Sequence, residues 1–537
     1  MARTDTLNNF LTDVADAIRT KTGSAAAITA SSFDTEIENI PTSGGDPTDY
    51  FNGDFKDSAK AGQIWFSSEY VKNTAQLVPI DCTGKADLHQ MFDSCGWSKI
   101  PKLINMNAAT NLSGLYQNCA NVTTIDTSSW DTTRVTKFSN LFYGCTKLTT
   151  VDLSNITTGA LSGASSDSFY QLFTNCSSLT SIDMHHMVLP STGNRNRMPS
   201  MSSMFTNCNA LTSLTPPTTA FKTDGSWSGL FNNCQVLPSA DIIAFINKIN
   251  NPEDCTNLRN TFSNCKLLEN ISLDIHNANS LNTYQECYQT FSNCSNLKSV
   301  NLILNGSSQF QECFQYAAAW GSRRGESLTP ETVNISIKAM NNNNTLTGTM
   351  SKMYFACCAY AGAAGSGNAT DITLNIDYNN ATWNQTYFEP MFQYCGAKVV
   401  NFKNLKITNT TTSSFMLFSG MGEVEEIHII NCDFSGCKNY NSFLTQSMGT
   451  LKILDLSGLT SATDVTNVSN FCSSCSALEL LDVRNFTFSN ATSYSSFLWG
   501  VPTTCTIVVK DATEKAWFNT KFSAYTNVMT ATEYEAQ

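Results

Sequence analysis

Charge is scarce in this 537-residue chain: Asp, Glu, Lys and Arg together make up only 14% of it, and the net charge is -12. The 32 basic residues gather into no Lys/Arg-rich run, so no patch for neutralising phosphates is written here and nucleic acid is not an expected partner. Long hydrophobic runs are missing as well. The longest nearly apolar stretch, Met353 to Ala364, is twelve residues with Tyr and Cys inside it, short of the roughly 18 that a bilayer-crossing helix needs, and no membrane insertion is expected. The opening "MARTDTLNNFLTDVADAIRT" sets Asp5, Asp13 and Asp16 where a secretory signal needs an unbroken apolar stretch, and the expectation is a chain without an export signal. What is abundant is apolar residues, at 41%, beside Asn, Ser and Thr, a balance that argues for a folded, soluble protein over disorder.

One phrase recurs. Met91-Phe92-Asp93-Ser94-Cys95, Leu115-Tyr116-Gln117-Asn118-Cys119, Leu141-Phe142-Tyr143-Gly144-Cys145, Leu172-Phe173-Thr174-Asn175-Cys176, Met204-Phe205-Thr206-Asn207-Cys208 and Leu230-Phe231-Asn232-Asn233-Cys234 each set an apolar residue, then an aromatic one, then Cys in fifth place. Copies at Phe262 to Cys265, Phe291 to Cys294 and Phe392 to Cys395 continue the pattern, and weaker ones end at Ala317, Cys358, Met421 and Cys475. From Cys95 to Cys294 the spacings are 24, 26, 31, 32, 26, 31 and 29 residues. Periods of that size belong to stacked repeats of one strand plus an irregular return. The strand follows the cysteine: "SSLTSIDM" at 177 to 184, "NLKSVNLIL" at 296 to 304 and "TLKILDLSG" at 450 to 458 alternate apolar and polar residues, as a strand with one buried face requires. The expected fold class is therefore an α/β repeat solenoid offering one parallel strand per turn.

Twenty cysteines suggest a disulfide framework only in a short exported chain. In a stacked array the same slot of each turn forms a ladder, and eleven of the cysteines (95, 119, 145, 176, 208, 234, 265, 294, 358, 395 and 475) occupy one slot, where a thiol acts as a small buried hydrophobe with a weak S–H donor. "CSSC" at 472 to 475 has the spacing of a redox or zinc pair, but its second Cys is the repeat position and no second C-x-x-C completes a zinc site.

The first forty residues are different. Leu7, Phe10, Leu11, Val14 and Ile18 fall on one helical stripe, Gly23 sits where that helix would end, and Phe33, Ile37 and Ile40 mark a second short helix. Such a hairpin is too small to fold unaided, so these eight apolar residues are the candidate attachment or oligomerisation surface. The domain expectation follows: 1–40 helical attachment module, 41–80 linker and N-terminal cap, 81–504 repeat array, 505–537 C-terminal strand and helix cap.

The recurring phrase resembles the BspA-like class of leucine-rich repeats, also known from mycoplasma lipoproteins and other bacterial surface proteins; the resemblance spans about residues 81 to 510. The tail "CTIVVKDATEKAWFNTKF" at 505 to 522 resembles the way such arrays finish, with a last strand and then a short helix over the open end. Separately, Ala17, Ile18, Arg19, Lys21, Thr22, Gly23, Ile28, Phe33, Ile40 and Pro41 stand in an order that resembles the N-terminal module of tailed-phage tail, fibre and baseplate-associated proteins. That resemblance implies a virion protein, assembled in the bacterial host cytoplasm, whose N-terminus joins other tail or baseplate proteins. It further implies a homo-oligomer, by analogy a trimer, and a distal body that meets the host.

Chemistry has few candidates. Glu423, Glu425 and Glu426 lie near a strand and could supply a carboxylate pair for polysaccharide cleavage, though a solvated strand end explains them equally. His185 and His186 could be metal ligands, but neighbours in a strand point to opposite faces, which favours a polar turn. "GSGN" at 365 to 368 and "GASSDS" at 163 to 168 lack the lysine and helix of a phosphate loop. No catalytic, metal or cofactor site is expected. Exposed positions rich in Asn, Ser and Thr with scattered Tyr and Trp suit a binding surface for a host glycan or protein. The leading expectation is a phage tail-fibre or baseplate receptor-binding protein; a virion-decorating protein, a bacterial adhesin and a polysaccharide depolymerase are the alternatives.

Overall fold

The computed structural model describes residues 79–537 except 97, 157–167, 193–197, 278–284, 306–307, 319–331, 341–344, 347–349, 351, 355, 359–369, 384–389, 409–416, 446–447 and 462. The proposed attachment residues Leu7, Phe10, Leu11, Val14, Ile18, Phe33, Ile37 and Ile40, and almost all of the 41–80 linker, lie outside the described residues. So do "GSGN" and nearly all of "GASSDS".

The described chain is mostly β with few helices, and its largest element is a sheet of 13 strands. Ten of these run side by side in unbroken chain order from Asn270–Asp274 to Val528–Thr530, every pair parallel. Shorter parallel pairs precede it, among them Thr124–Ile125 with Thr150–Val151 and Ser181–Asp183 with Ser213–Thr215. This is a solenoid-like arrangement of repeats. The strands alternate as expected: Ser299–Leu304 buries Val300, Leu302 and Leu304 and turns Ser299, Asn301 and Ile303 outward.

Among the described residues the return half of the repeats is built mainly of tight turns, with short 3-10 helices at Met106–Ala108 and Pro252–Asp254, which is why the α/β expectation resolves as mostly β. The N–H groups of Leu115, Gln117 and Cys119 close on Leu112, Gly114 and Tyr116 three residues back, while those of Gly114, Tyr116 and Asn118 reach Ser139, Leu141 and Tyr143 of the next repeat. Every second amide thus serves the turn and every other one the stack, which leaves none orphaned in this run. The geometry demands left-handed backbone at the residue before the cysteine, where φ runs from +57° to +74° at Ser94, Asn118, Gly144, Asn175, Asn207, Asn233, Asn264 and Asn293. Asn tolerates that region better than other residues with a side chain. At Gly144 a Cβ would also lie 2.6 Å from Asn118 Oδ1.

The core is two ladders. From Phe92 through Tyr116, Phe142, Phe173, Phe205, Phe231, Phe262, Phe291, Phe314, Tyr354 and Phe392 to Phe418, ring centroids are 4.7 to 6.1 Å apart with planes within 26°. Beside them all twenty cysteines are buried as thiols. They are more than filler. Cys119, Cys145, Cys176 and Cys208 donate to the carbonyls of Phe92, Tyr116, Phe142 and Phe173 in the preceding repeat at 3.0 to 3.2 Å, and Cys234, Cys265 and Cys294 repeat the contact at 3.0 to 3.1 Å. Alanine would leave those carbonyls without the bond, and serine would cost more to desolvate. Burial pushes the thiols of Cys145 and Cys208 up to about 12, so they stay protonated donors.

Two registers differ from expectation. In the repeat read as ending at Cys358, Tyr354 is the stacked ring, Lys352 and Ala356 are left-handed, and Cys357 N–H closes on Tyr354; the ladder slot is Cys357. Beyond Phe418 the ring moves one residue toward the N-terminus of its repeat, directly after the left-handed Ser442, Asn470 and Ser496. There Phe443, Phe471 and Phe497 carry the spine at 5.1 and 5.3 Å, while Leu444, Cys472 and Leu498 fill the vacated slot. The change is marked by an edge-on contact of Phe418 with Phe443 at 85°.

The expected last strand is also not last. After Thr506–Val509 and the helix Ala512–Lys521, capped by the Asp511 carboxylate on the N–H groups of Thr513 and Glu514, the chain adds Val528–Thr530 in parallel on the far edge. The helix buries Phe518 against Phe488, Phe497 and Phe522, covering the open end of the core.

Candidate functional site

The outward face of the long sheet carries one continuous row of polar side chains. Register places Asn270, Ser299, Asn334, Asn375, Asn401, His428, Asp455 and Asp482 side by side on successive strands. Ser299 Oγ donates to Asn270 Oδ1 at 2.7 Å, Asn375 Nδ2 to Asn334 Oδ1 at 2.9 Å and Asn401 Nδ2 to Asn375 Oδ1 at 2.8 Å. Neighbouring strands lie about 4.8 Å apart, and at that step one amide can give to one neighbour and accept from the other with a donor and an acceptor to spare. A second row runs two residues further along: Ser272, Asn301, Ser336, Asp377 and Lys403. Asn301 donates to Ser272 at 3.0 Å.

At its start this face is walled by a helix. In the repeat after Cys234 the strand is replaced by the helix Ser239–Ile246, whose Phe245 meets the spine edge-on at Phe205 and Phe231, 5.6 Å from each. A side chain joins it to the preceding two-stranded sheet: Asp241 accepts the N–H of Leu214, in the strand Ser213–Thr215, at 2.9 Å, the amide that an adjacent strand would have taken. A helix is roughly 10 Å across, twice the strand spacing, so it stands proud of the sheet. Between it and the sheet lies a groove of about 520 Å³ walled by Ile243, Ile246 and Asn247, its floor including Asn270, Ser299 and Asn334. The one-strand-per-turn expectation missed this helix, although Pro238 followed by Ile242, Phe245, Ile246 and Ile249 has helical spacing.

The far end is ionic. His428 lies between Asp455, with Nδ1 to Oδ2 at 3.2 Å, and Glu426, with Nε2 to Oε2 at 3.0 Å. The Asp455 bond, helped by Glu426 and opposed by partial burial, raises the imidazole above its ordinary value. Burial would raise Asp455, but bonds from His428 and Ser457 outweigh it and bring the carboxyl to about 2. Asp482 is buried and receives Arg484 at 2.7 to 3.1 Å; Arg484 also reaches Glu535 in the short helix Ala531–Glu535.

The carboxylates singled out from the sequence are thus divided. Glu425 is held between Lys398 at 3.4 Å and Lys452 at 2.7 Å, Glu426 belongs to His428, and Glu423 stands in the preceding turn. His185 and His186 sit in an exposed turn after Ser181–Asp183, where His185 Nδ1 bonds Asp183 at 2.6 Å. Among the described residues no group of three or more His, Cys, Asp or Glu is placed to hold a metal, and no helix is long and apolar enough to cross a membrane.

Residues 86–216 match a family model described as "Mycoplasma protein of unknown function, DUF285". The match supports a BspA-like repeat protein, and the parallel sheet beyond it fits a leucine-rich repeat. No curated protein matches the chain.

Proposed function

We propose that this chain is a bacteriophage virion protein of the tail-fibre or baseplate kind, whose body is a leucine-rich-repeat solenoid that binds the host surface and whose residues 1–40 join it, as an oligomer, to other virion proteins. The anchoring half rests on the N-terminal resemblance alone. The binding half is supported by the ordered outer face, where Asn270 to Asp482 hold fixed polar groups on a rigid array; that row is the observation that carries the reading. Immunogold labelling of particles with antibody to the full chain tests it, together with competition of host adsorption by the purified protein. Label at the tail tip with blocked adsorption is expected; label confined to the head, or absent from particles, overturns it.

The family match, described for a mycoplasma protein, favours a second reading, a bacterially encoded protein, which the resemblance to BspA-like repeats would place on the cell surface. Label on uninfected cells of the encoding bacterium would establish that alternative.

A further inference from the structure

We infer that the groove between the helix Ser239–Ile246 and the sheet face binds a neutral oligosaccharide. Its floor offers Asn and Ser side chains from three neighbouring strands, and several are already fixed by one bond: Ser299 to Asn270, Asn301 to Ser272, Asn375 to Asn334. These side chains stand at exposed or partly exposed positions and have further donor and acceptor capacity, which suits hydroxyl groups that both give and accept. The wall adds Ile243 and Ile246, an apolar surface for the C–H face of a sugar ring. Among the described residues none that lines the groove is charged, so an anionic ligand would find no counter-charge.

Two further features favour a glycan over a peptide. Strands Ser299–Leu304 and Thr332–Ala339 are paired on both sides. The third strand of the floor, Asn270–Asp274, is the edge of the sheet but has the helix Ser239–Ile246 beside its open side, where Ser239 Oγ accepts the N–H of Glu269 at 3.4 Å, so strand addition would have to displace the helix. The rows repeat about every 4.8 Å, close to the advance of one pyranose along an extended chain, so equivalent groups on successive strands meet successive sugars. A volume of about 520 Å³ lies within the range of small-ligand sites.

Glycan capture here presupposes that the repeat body is the binding part of the chain, but it does not require a virion. The test is titration calorimetry of the full chain with cellotetraose, chitotetraose, maltotetraose and, as an acidic comparator, sialyllactose. At least one neutral tetrasaccharide should bind, equally at low and high salt. Ile243→Arg fills the groove, and Asn334→Asp keeps the size of an exposed residue while removing its donor; each should weaken binding by about tenfold or more, with thermal unfolding showing the second still folded. No binding by any neutral sugar, a salt-sensitive preference for sialyllactose, or unchanged affinity in Asn334→Asp overturns the inference. Protein that adsorbs to host cells equally well with Asn334→Asp would refute the groove and leave the attachment proposal standing. Sugar binding by a chain absent from particles would do the reverse.

Discussion

Along a single row of the same sheet, five neutral side chains from Asn270 to Asn401 give way to three ionisable ones, His428, Asp455 and Asp482. The two stretches share backbone, spacing and core, so the difference isolates what stacking asks of a side chain. An amide is self-complementary and can follow itself indefinitely. A carboxylate cannot, because like charges on neighbouring strands repel. Asp455 and Asp482 are neighbours in the row, and each is supplied with a partner, the His428 imidazole, cationic when protonated, for the first and the Arg484 guanidinium for the second. The neutral stretch therefore keeps spare bonding capacity on a rigid face, while the ionic stretch spends its capacity internally.

The largest expected effect removes what both stretches share. Phe231→Ala takes out a ring stacked between Phe205 and Phe262 and met edge-on by Phe245; denaturant unfolding should show a loss of about 4 kcal/mol, and a loss near zero would mean that the spine is not the core. Next, Asp482→Ala leaves Arg484 half-buried without its main partner and should cost about 2 kcal/mol. Asn375→Ala, which breaks two amide contacts whose partners can turn to water, should cost about 1 kcal/mol or less. Equal losses at the two sites would erase the distinction between the stretches.

The smallest effect is in pH. The folded state holds His428 above its ordinary 6.5, so the stability it contributes is present below that value and is lost as pH rises through the folded one. Asp455 is held at about 2, below its ordinary 3.8, so its contribution is present above 3.8 and lost as pH falls toward 2. Unfolding midpoints of His428→Gln should lie flatter than those of the parent on the alkaline side. Asn375→Ala should leave the shape of the profile unchanged; the opposite pattern would move the pH response to the neutral stretch.

Much of this was legible in the residues. The aromatic and cysteine ladders, and the alternating strands after each cysteine, follow from period and pattern, because stacking turns a repeated letter into a column. The Asn before the cysteine was visible too, but its left-handed role needs the backbone geometry that places Asn175, Asn207 and Asn233 at positive φ. The displacement of the ring at Phe443, Phe471 and Phe497 escaped because "FCSSC" still offers an aromatic and a cysteine, and either of two adjacent slots can take the ring if the other takes Leu or Cys.

The candidate site was less legible. Asn270, Ser299 and Asn334 are separated by 29 and 35 residues, and repeats of unequal length give no spacing from which their adjacency could be read. The chain alone determined that a repeating array forms, what fills its core and that its outer positions are polar, since those depend on local alternation and on one recurring phrase. Tertiary structure alone decided which polar residues share a row, where counter-ions fall and that one helix stands in place of a strand to make a groove, because each of these is set by register between repeats and by the width of an element against its neighbour.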